Sequence, residues 1–462
     1  MSLLSGCSLW SSDKKAQSGS SSPNGAQSEA SGNSHSGKEF DPGREISDRN
    51  RDSGLKPMES GESIDGASSE ESGDSNESGV MNQHDDAASP EESSDAPETA
   101  DASESRDASA ETPDPGKAPD FTPGEGVTSD MLQRAKDILA GLSIEEKVGQ
   151  MFMARFPSYY DAAEDARAYC LGGYVLFDEE FDGYSMDEVR AVIDECQEAC
   201  AIPMLMSVDE EGGSVCRVST HYRENRFYSP RYLYSIGGFE ALEAETREKC
   251  ELLLSLHLNM NLTPVADMAG SEEEFMYYRA FSDDPELTSE FILRTLTIMQ
   301  EYGVASSLKH FPGYGSNLDT HVGMSVDERS ADEFYADALI PFMAGMEAGA
   351  DSVLVCHNIV TCFDSEYPAS LSPEVHEVAR ELGYEGVLMT DDLAMGAIVD
   401  YYGCGEAAVL AVLAGNDMLI SSSYITQYEA VLEAVQEGVI SQERLDASVL
   451  RVLLLKIKMG LL

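Results

Sequence analysis

The sequence predicts an α/β fold, a single (β/α)8 barrel, and three observations carry that expectation. Eight short apolar runs recur after residue 127, at 148–156, 173–177, 203–208, 259–265, 305–310, 352–357, 386–390 and 417–420. Stretches such as 287–301 and 331–348 lie between them, with apolar residues at the three- and four-residue spacing of one helix face. The portion from 127 to 462 is also long enough for one large core, and strands alternating with helices over that length close into a barrel. A last helical stretch, 441–459, reads as the closing element.

Composition sets this portion apart from what precedes it. From residue 1 to 126 the chain is Ser, Gly, Asp, Glu, Ala and Pro with almost no aliphatic periodicity. Such a segment cannot bury enough apolar area to offset chain entropy, so a long disordered acidic N-terminal tether is expected. Near its start, Leu4-Ser5-Gly6-Cys7 resembles the lipobox of bacterial lipoproteins, in which the Cys is lipidated. With an acidic spacer directly after it, the motif makes Cys7 a lipidation candidate. The expected location is then the extracellular face of a bacterial cell membrane, and the cytoplasm if the motif is accidental.

The whole chain carries 85 acidic against 30 basic side chains, a net charge of -55. Both parts repel polyanions, which excludes nucleic acid as a partner. Nine cysteines in a domain this large do not form a disulfide framework. Cys196 and Cys200 lie one helical turn apart, but no neighbouring His or Cys pair completes a metal site. Neither metal nor cofactor is expected, and the chain is read as a monomer. The single tryptophan is Trp10, so stacking on a ligand in the folded part would fall to Tyr, Phe or apolar side chains, with Tyr314 the nearest candidate.

The chemistry concentrates in Lys309-His310-Phe311-Pro312-Gly313-Tyr314-Gly315, followed after three residues by Asp319-Thr320-His321. The end of an apolar run opens here into a Gly/Pro loop. An Asp two residues before a His can accept from one ring nitrogen, which fixes the tautomer and leaves the other for proton transfer.

These residues resemble glycoside hydrolase family 3, in the branch of bacterial β-N-acetylglucosaminidases with an Asp-His acid/base. Four further motifs appear in the family's order: Asp209-Glu210-Glu211-Gly212-Gly213 with Arg217, Thr263-Pro264-Val265-Ala266-Asp267, Arg279-Ala280-Phe281-Ser282-Asp283-Asp284-Pro285, and Thr390-Asp391-Asp392-Leu393-Ala394-Met395. Asp209, Asp267 and Asp391 follow apolar runs and Lys309 and His310 end one, the places where barrel enzymes put their sites.

The resemblance implies a retaining exo-acting enzyme releasing terminal N-acetylglucosamine, from peptidoglycan fragments, through a covalent glycosyl-aspartate. It gives Asp391 the nucleophile's role, His321 that of acid/base and Asp319 that of holding the His321 tautomer. Asp209, Arg217, Arg279, Lys309 and His310 are then the substrate-binding set, Asp392 is structural, and His357, a loose match on the sixth run, stays outside the catalytic set. Three alternatives remain: a phosphorylase using the same first step, a β-glucosidase or β-xylosidase, and a barrel that only binds wall glycan. Relative to the family pattern the loop before Asp319 is one residue shorter, Tyr314 stands where His is common, and Ser214 where Arg is common.

Overall fold

The structure, a computed structural model, describes residues 126–317, 319–321 and 323–462. Cys7, Trp10 and all but the last residue of the tether expected over residues 1–126 lie outside the described residues. Eight strands form the central sheet: β1 (Phe152–Arg155), β2 (Gly173–Leu176), β3 (Leu205–Val208), β4 (Met260–Asn261), β5 (Ala305–Phe311), β6 (Ser352–Val355), β7 (Val387–Thr390) and β8 (Leu419–Ser421). Each overlaps one of the predicted runs. Neighbours pair in parallel from β8 through β1 and on to β7. The last gap closes where Met389 bridges Met418, supported by the Thr390 amide donating to the Met418 carbonyl at 3.1 Å.

Burial explains why the strands read as continuous apolar runs. Side chains facing the lumen are buried within it, and those facing outward are buried under helices, so no polar alternation survives. The lumen is filled by one residue or more from each strand: Met153, Val175, Leu205, Met260, Ala305, Leu354, Val387 with Met389, and Ile420. Val452 and Leu455 from the last helix join the same cluster and plug it from below. The barrel is thus a packed core with chemistry confined to its mouth.

Two elements differ from the expectation for physical reasons. The run predicted as a strand from 148 is helical up to Gln150, because Ser143 and Glu146 form a reciprocal capping box that starts the helix Ile144–Gln150. The strand begins only at Phe152. The stretch 331–348 is helical but interrupted, with a π-turn at Phe334–Ala338 between Ala331–Glu333 and Leu339–Glu347. The closing helix spans Gln442–Lys458.

Below the lumen, away from the mouth, this helix holds the seam between β7 and β8. Asp417, fully buried, accepts from Arg380 at 2.7 Å, Arg451 at 3.4 Å, Arg444 at 3.5 Å and Ser448 at 3.0 Å, and from the Leu388 amide at 3.1 Å. Three guanidinium groups therefore share this carboxylate at the edge where the barrel closes, with Glu385 a second partner of Arg451 at 3.5 Å. Removing one partner of a buried ion network leaves uncompensated charge, so Asp417→Ala should cost about 3–5 kcal/mol of stability. A urea midpoint that fails to fall, at unchanged slope, would contradict this account.

Candidate active site

The site is built from strand ends on the face opposite that seam. Asp209 follows β3, and the next two carboxylates serve different purposes. Glu210 points into the turn that follows, where it accepts from the amides of Arg217 at 2.8 Å, Val218 at 2.7 Å and Ser219 at 3.3 Å, and from the Ser219 hydroxyl. Glu211 points to the mouth instead. It accepts from Arg279 Nη2 at 2.7 Å and Nε at 2.9 Å, and pairs with Lys309 Nζ at 2.6 Å. Lys309 also reaches Asp209 at 2.5 Å.

Two successive residues of β5 serve this mouth although strand neighbours ordinarily face opposite ways. The β5–β6 ladder is irregular between Lys309 and Phe311, and that local break lets both Lys309 and His310 face the site. His310 Nδ1 lies 2.6 Å from Asp267 Oδ2, and the His310 amide donates to the same oxygen at 2.9 Å. Its Nε2 is 3.2 Å from Arg279 Nη2. Since a guanidinium can only donate, Nε2 is the acceptor and Nδ1 carries the proton. Asp209, Lys309, Glu211, Arg279, His310 and Asp267 thus form one unbroken network across the ends of β3, β4 and β5.

The charges in it are mutually stabilised. Burial pushes the Glu211 carboxyl up, but Arg279 and Lys309 overcome this and hold it well below the usual carboxylate range. Burial likewise works against the Lys309 cation, and Asp209 and Glu211 outweigh it, raising its pKa. Both groups are ionised because of each other.

Asp391 follows β7. Burial opposes its charge, yet His357, His310 and His321 together bring its pKa below the ordinary value. Its Oδ1 accepts from the Asp392 amide at 2.8 Å. Asp392 turns away and ties β7 to β8, accepting from the amides of Ala394 and Ser422, each at 3.0 Å, and from the Ser422 hydroxyl. This agrees with the structural role expected for it. His357, fully buried, receives the Ser370 hydroxyl at Nδ1 over 2.7 Å and donates from Nε2 to the Asp392 carbonyl over 3.0 Å. Desolvation lowers its pKa while the charge on Asp391 works the other way, and the imidazole braces the peptide beside Asp391.

His321 sits on the loop above. Its Nδ1 is 2.6 Å from Asp319 Oδ1, and its amide donates to the same oxygen at 3.0 Å. The side chain is 63% exposed, which leaves Nε2 open to the mouth. The hydrogen bond to Asp319 raises its pKa, burial pulls the other way, and the charge on Asp391 adds to the rise. Asp391 and His321 therefore share one electrostatic environment.

One sequence expectation needs revision. Tyr314 is no stacking platform: it is 2% exposed, its ring packed beside Phe275 and His310. The exposed rings on loops after β1, β2 and β4 are Tyr160, Tyr184 and Tyr278. The Arg217 guanidinium lies 5.7 Å from the centre of the Phe177 ring. Glu211 and His357 enter the site without having been in the predicted set. Two adjacent acids at a strand end signalled that a carboxylate would face inward, but not which. A separate cavity of about 370 Å³ lies beside Asp351 and Val387 at the other end of the barrel and shares no residue with the network.

A parallel barrel with ionised acids, Lys, Arg and His converging at its C-terminal mouth is the architecture of a barrel enzyme. Comparison with known proteins names the class. The glycosyl hydrolase family 3 N terminal domain matches residues 143–455. A beta-hexosaminidase from Stenotrophomonas maltophilia is 35% identical over 234 residues, which is 49% of this chain and 69% of that protein. One from Xanthomonas oryzae is 33% identical over 279 residues, 58% of this chain and 79% of that protein. Among solved structures, a family 3 beta-N-acetylglucosaminidase from Paenibacillus superposes with a TM-score of 0.65 at 31% identity, covering 69% of this chain and 63% of that one. The chain thus spans less than two thirds of the Paenibacillus protein. The chain belongs to glycosyl hydrolase family 3, and it is an enzyme acting on glycosidic bonds.

The network makes Glu211 the most sensitive point of the mouth. Glu211→Gln should destabilise the fold by about 3 kcal/mol or more, because two buried cations lose a shared counter-charge. It should also lower the Lys309 pKa, since one of the two carboxylates raising it is gone. Unchanged thermal and urea midpoints for this variant would show that Asp209 alone suffices.

Proposed function

We propose that this protein is a retaining exo-β-N-acetylglucosaminidase that removes terminal N-acetylglucosamine from peptidoglycan fragments. The observation that carries the reading is the His321–Asp319 pair at 2.6 Å on a loop that shares an electrostatic environment with Asp391. The relatives named beta-hexosaminidase and the Paenibacillus enzyme support the choice of sugar.

In the first step the Asp391 carboxylate attacks the anomeric carbon while the His321 imidazolium gives its Nε2 proton to the departing oxygen. A glycosyl ester on Asp391 and a free alcohol result. In the second, neutral His321 takes a proton from water, the water oxygen bonds to the anomeric carbon, and Asp391 leaves as a carboxylate. Asp319 holds the Nδ1 proton throughout, so exchange occurs only at Nε2. Asp209, Lys309, His310 and Arg279 surround the terminal sugar in this reading, with Arg217 at its margin. Cys7 serves as a lipid anchor that keeps the barrel near the wall; a Cys7→Ala protein that still fractionates with membranes would refute that part.

Turnover of a chromogenic N-acetylglucosaminide and glucoside, each with and without phosphate, tests the whole proposal. Preference for the N-acetylglucosaminide with no effect of phosphate is expected. A rate that depends on phosphate would make the enzyme a phosphorylase, and preference for the glucoside a β-glucosidase.

Two variants examine the roles. His321→Ala should slow natural substrates by about 10²–10⁴-fold but activated aryl glycosides far less, because good leaving groups need little protonation. Equal losses would remove His321 from the acid role. The pH profile follows from the shifts: Asp391 is held below its ordinary 3.8 and ionises first, while His321 is held above its ordinary 6.5 and loses its proton last. Activity should therefore persist above pH 6.5 before an alkaline limb sets in. Asp319→Asn removes the largest influence raising His321, so that limb should move to lower pH; an unmoved limb would assign it to another group.

A further inference from the structure

We infer that Tyr314 is the positioning residue of the acid/base loop, its phenol holding Asp319 and His321 over Asp391. The inference rests on reading His321 as the acid/base.

Thr320, between the two outward-facing residues, is 1% exposed and points inward. Its amide donates to the Tyr314 hydroxyl at 2.8 Å, and that hydroxyl donates to Thr320 Oγ1 at 3.1 Å. A phenol can do both at once, and phenylalanine can do neither. At its other end Tyr314 is tied to the floor of the site: its amide donates to Asp267 Oδ1 at 2.6 Å, while Oδ2 of the same carboxylate holds His310. One buried residue, through its amide and its phenol, thus links the Asp267–His310 pair to the midpoint of the loop.

The loop is held from the nucleophile's side as well. The Thr320 carbonyl accepts from the Ala397 amide at 3.1 Å, in the helix Gly396–Val399 that follows the Asp391–Asp392 turn. Next to it, a Cβ on Gly396 would lie 2.8 Å from the His321 carbonyl oxygen, a distance only glycine allows. Thr320 is therefore clamped between the ends of β5 and β7, and the Asp319–His321 pair is fixed relative to Asp391 through a residue that touches neither substrate nor proton. Asn317 adds a brace at the loop's entry, donating to the Tyr314 carbonyl and to Asp327 Oδ2, each at 2.8 Å.

A positioning role predicts a particular pattern of loss. General acid catalysis contributes about 10²–10⁴-fold, so a misplaced His321 in Tyr314→Phe should lower kcat on a natural disaccharide by about 10-fold or more. A dinitrophenyl glycoside, which leaves without a proton, should lose less than about threefold in its glycosylation step. In a double-mutant cycle, Tyr314→Phe should cost almost nothing further in the His321→Ala background, since the group it positions is already gone. Thr320→Val, which keeps the amide but removes the Oγ1 acceptor, should give a smaller loss of the same kind and guards against misfolding of the tyrosine variant.

All variants are compared with circular dichroism melts on the full chain. Equal losses on both substrates for both variants, or losses additive with His321→Ala, would overturn the inference and leave Tyr314 as a core residue. If His321→Ala itself shows no leaving-group dependence, the acid/base assignment fails first, which separates that outcome from this one.

Discussion

The carboxylate of Glu211 is the contact on which the mouth of this barrel depends. Nearly excluded from water, it would be costly to ionise alone. It stays charged because Arg279, from the loop after β4, and Lys309, from β5, both donate to it. Lys309 in turn needs Asp209, and Arg279 reaches His310, so three strand ends are locked by groups that could not be buried separately. A site assembled this way is rigid before substrate arrives, which positions groups with little reorganisation at the moment of reaction.

A second level of order stands on the first. Asp267 fixes His310 through one oxygen and Tyr314 through the other, and Tyr314 passes that order up to Thr320. The acid/base pair is thus exposed to solvent and still held. Exposure suits proton exchange with water, whereas the buried Thr320 supplies the geometry that an exposed pair lacks by itself. Asp391 is treated the opposite way, part-buried among imidazoles and braced through Asp392 and His357. The two groups are set apart by environment, one kept anionic and the other kept ready to hold a proton.

At the far end of the barrel Asp417 does for the seam what Glu211 does for the mouth. Both are buried carboxylates shared among cations from separate elements. Between them the lumen is filled by apolar side chains, so stability and chemistry occupy different layers.

Local pattern alone determined the eight strands, the closing helix and the placement of Asp209, Asp267, Lys309, His310 and Asp391 at strand ends, because buried parallel strands read as continuous apolar runs and the residue after each run must emerge at the same face. The Asp319–His321 pairing was legible too, since two residues of separation bring both side chains within reach. Tertiary structure decided what depends on direction and on distant partners. Glu210 and Glu211 are chemically alike and adjacent, and only the fold turns one into a loop and the other toward Lys309 and Arg279. Tyr314 read as a surface ring beside a catalytic loop, yet its burial and its reach to Thr320 arise from chain segments that meet only when the barrel closes. His357 acquires its task from Asp392, thirty-five residues away, a relation no local periodicity encodes.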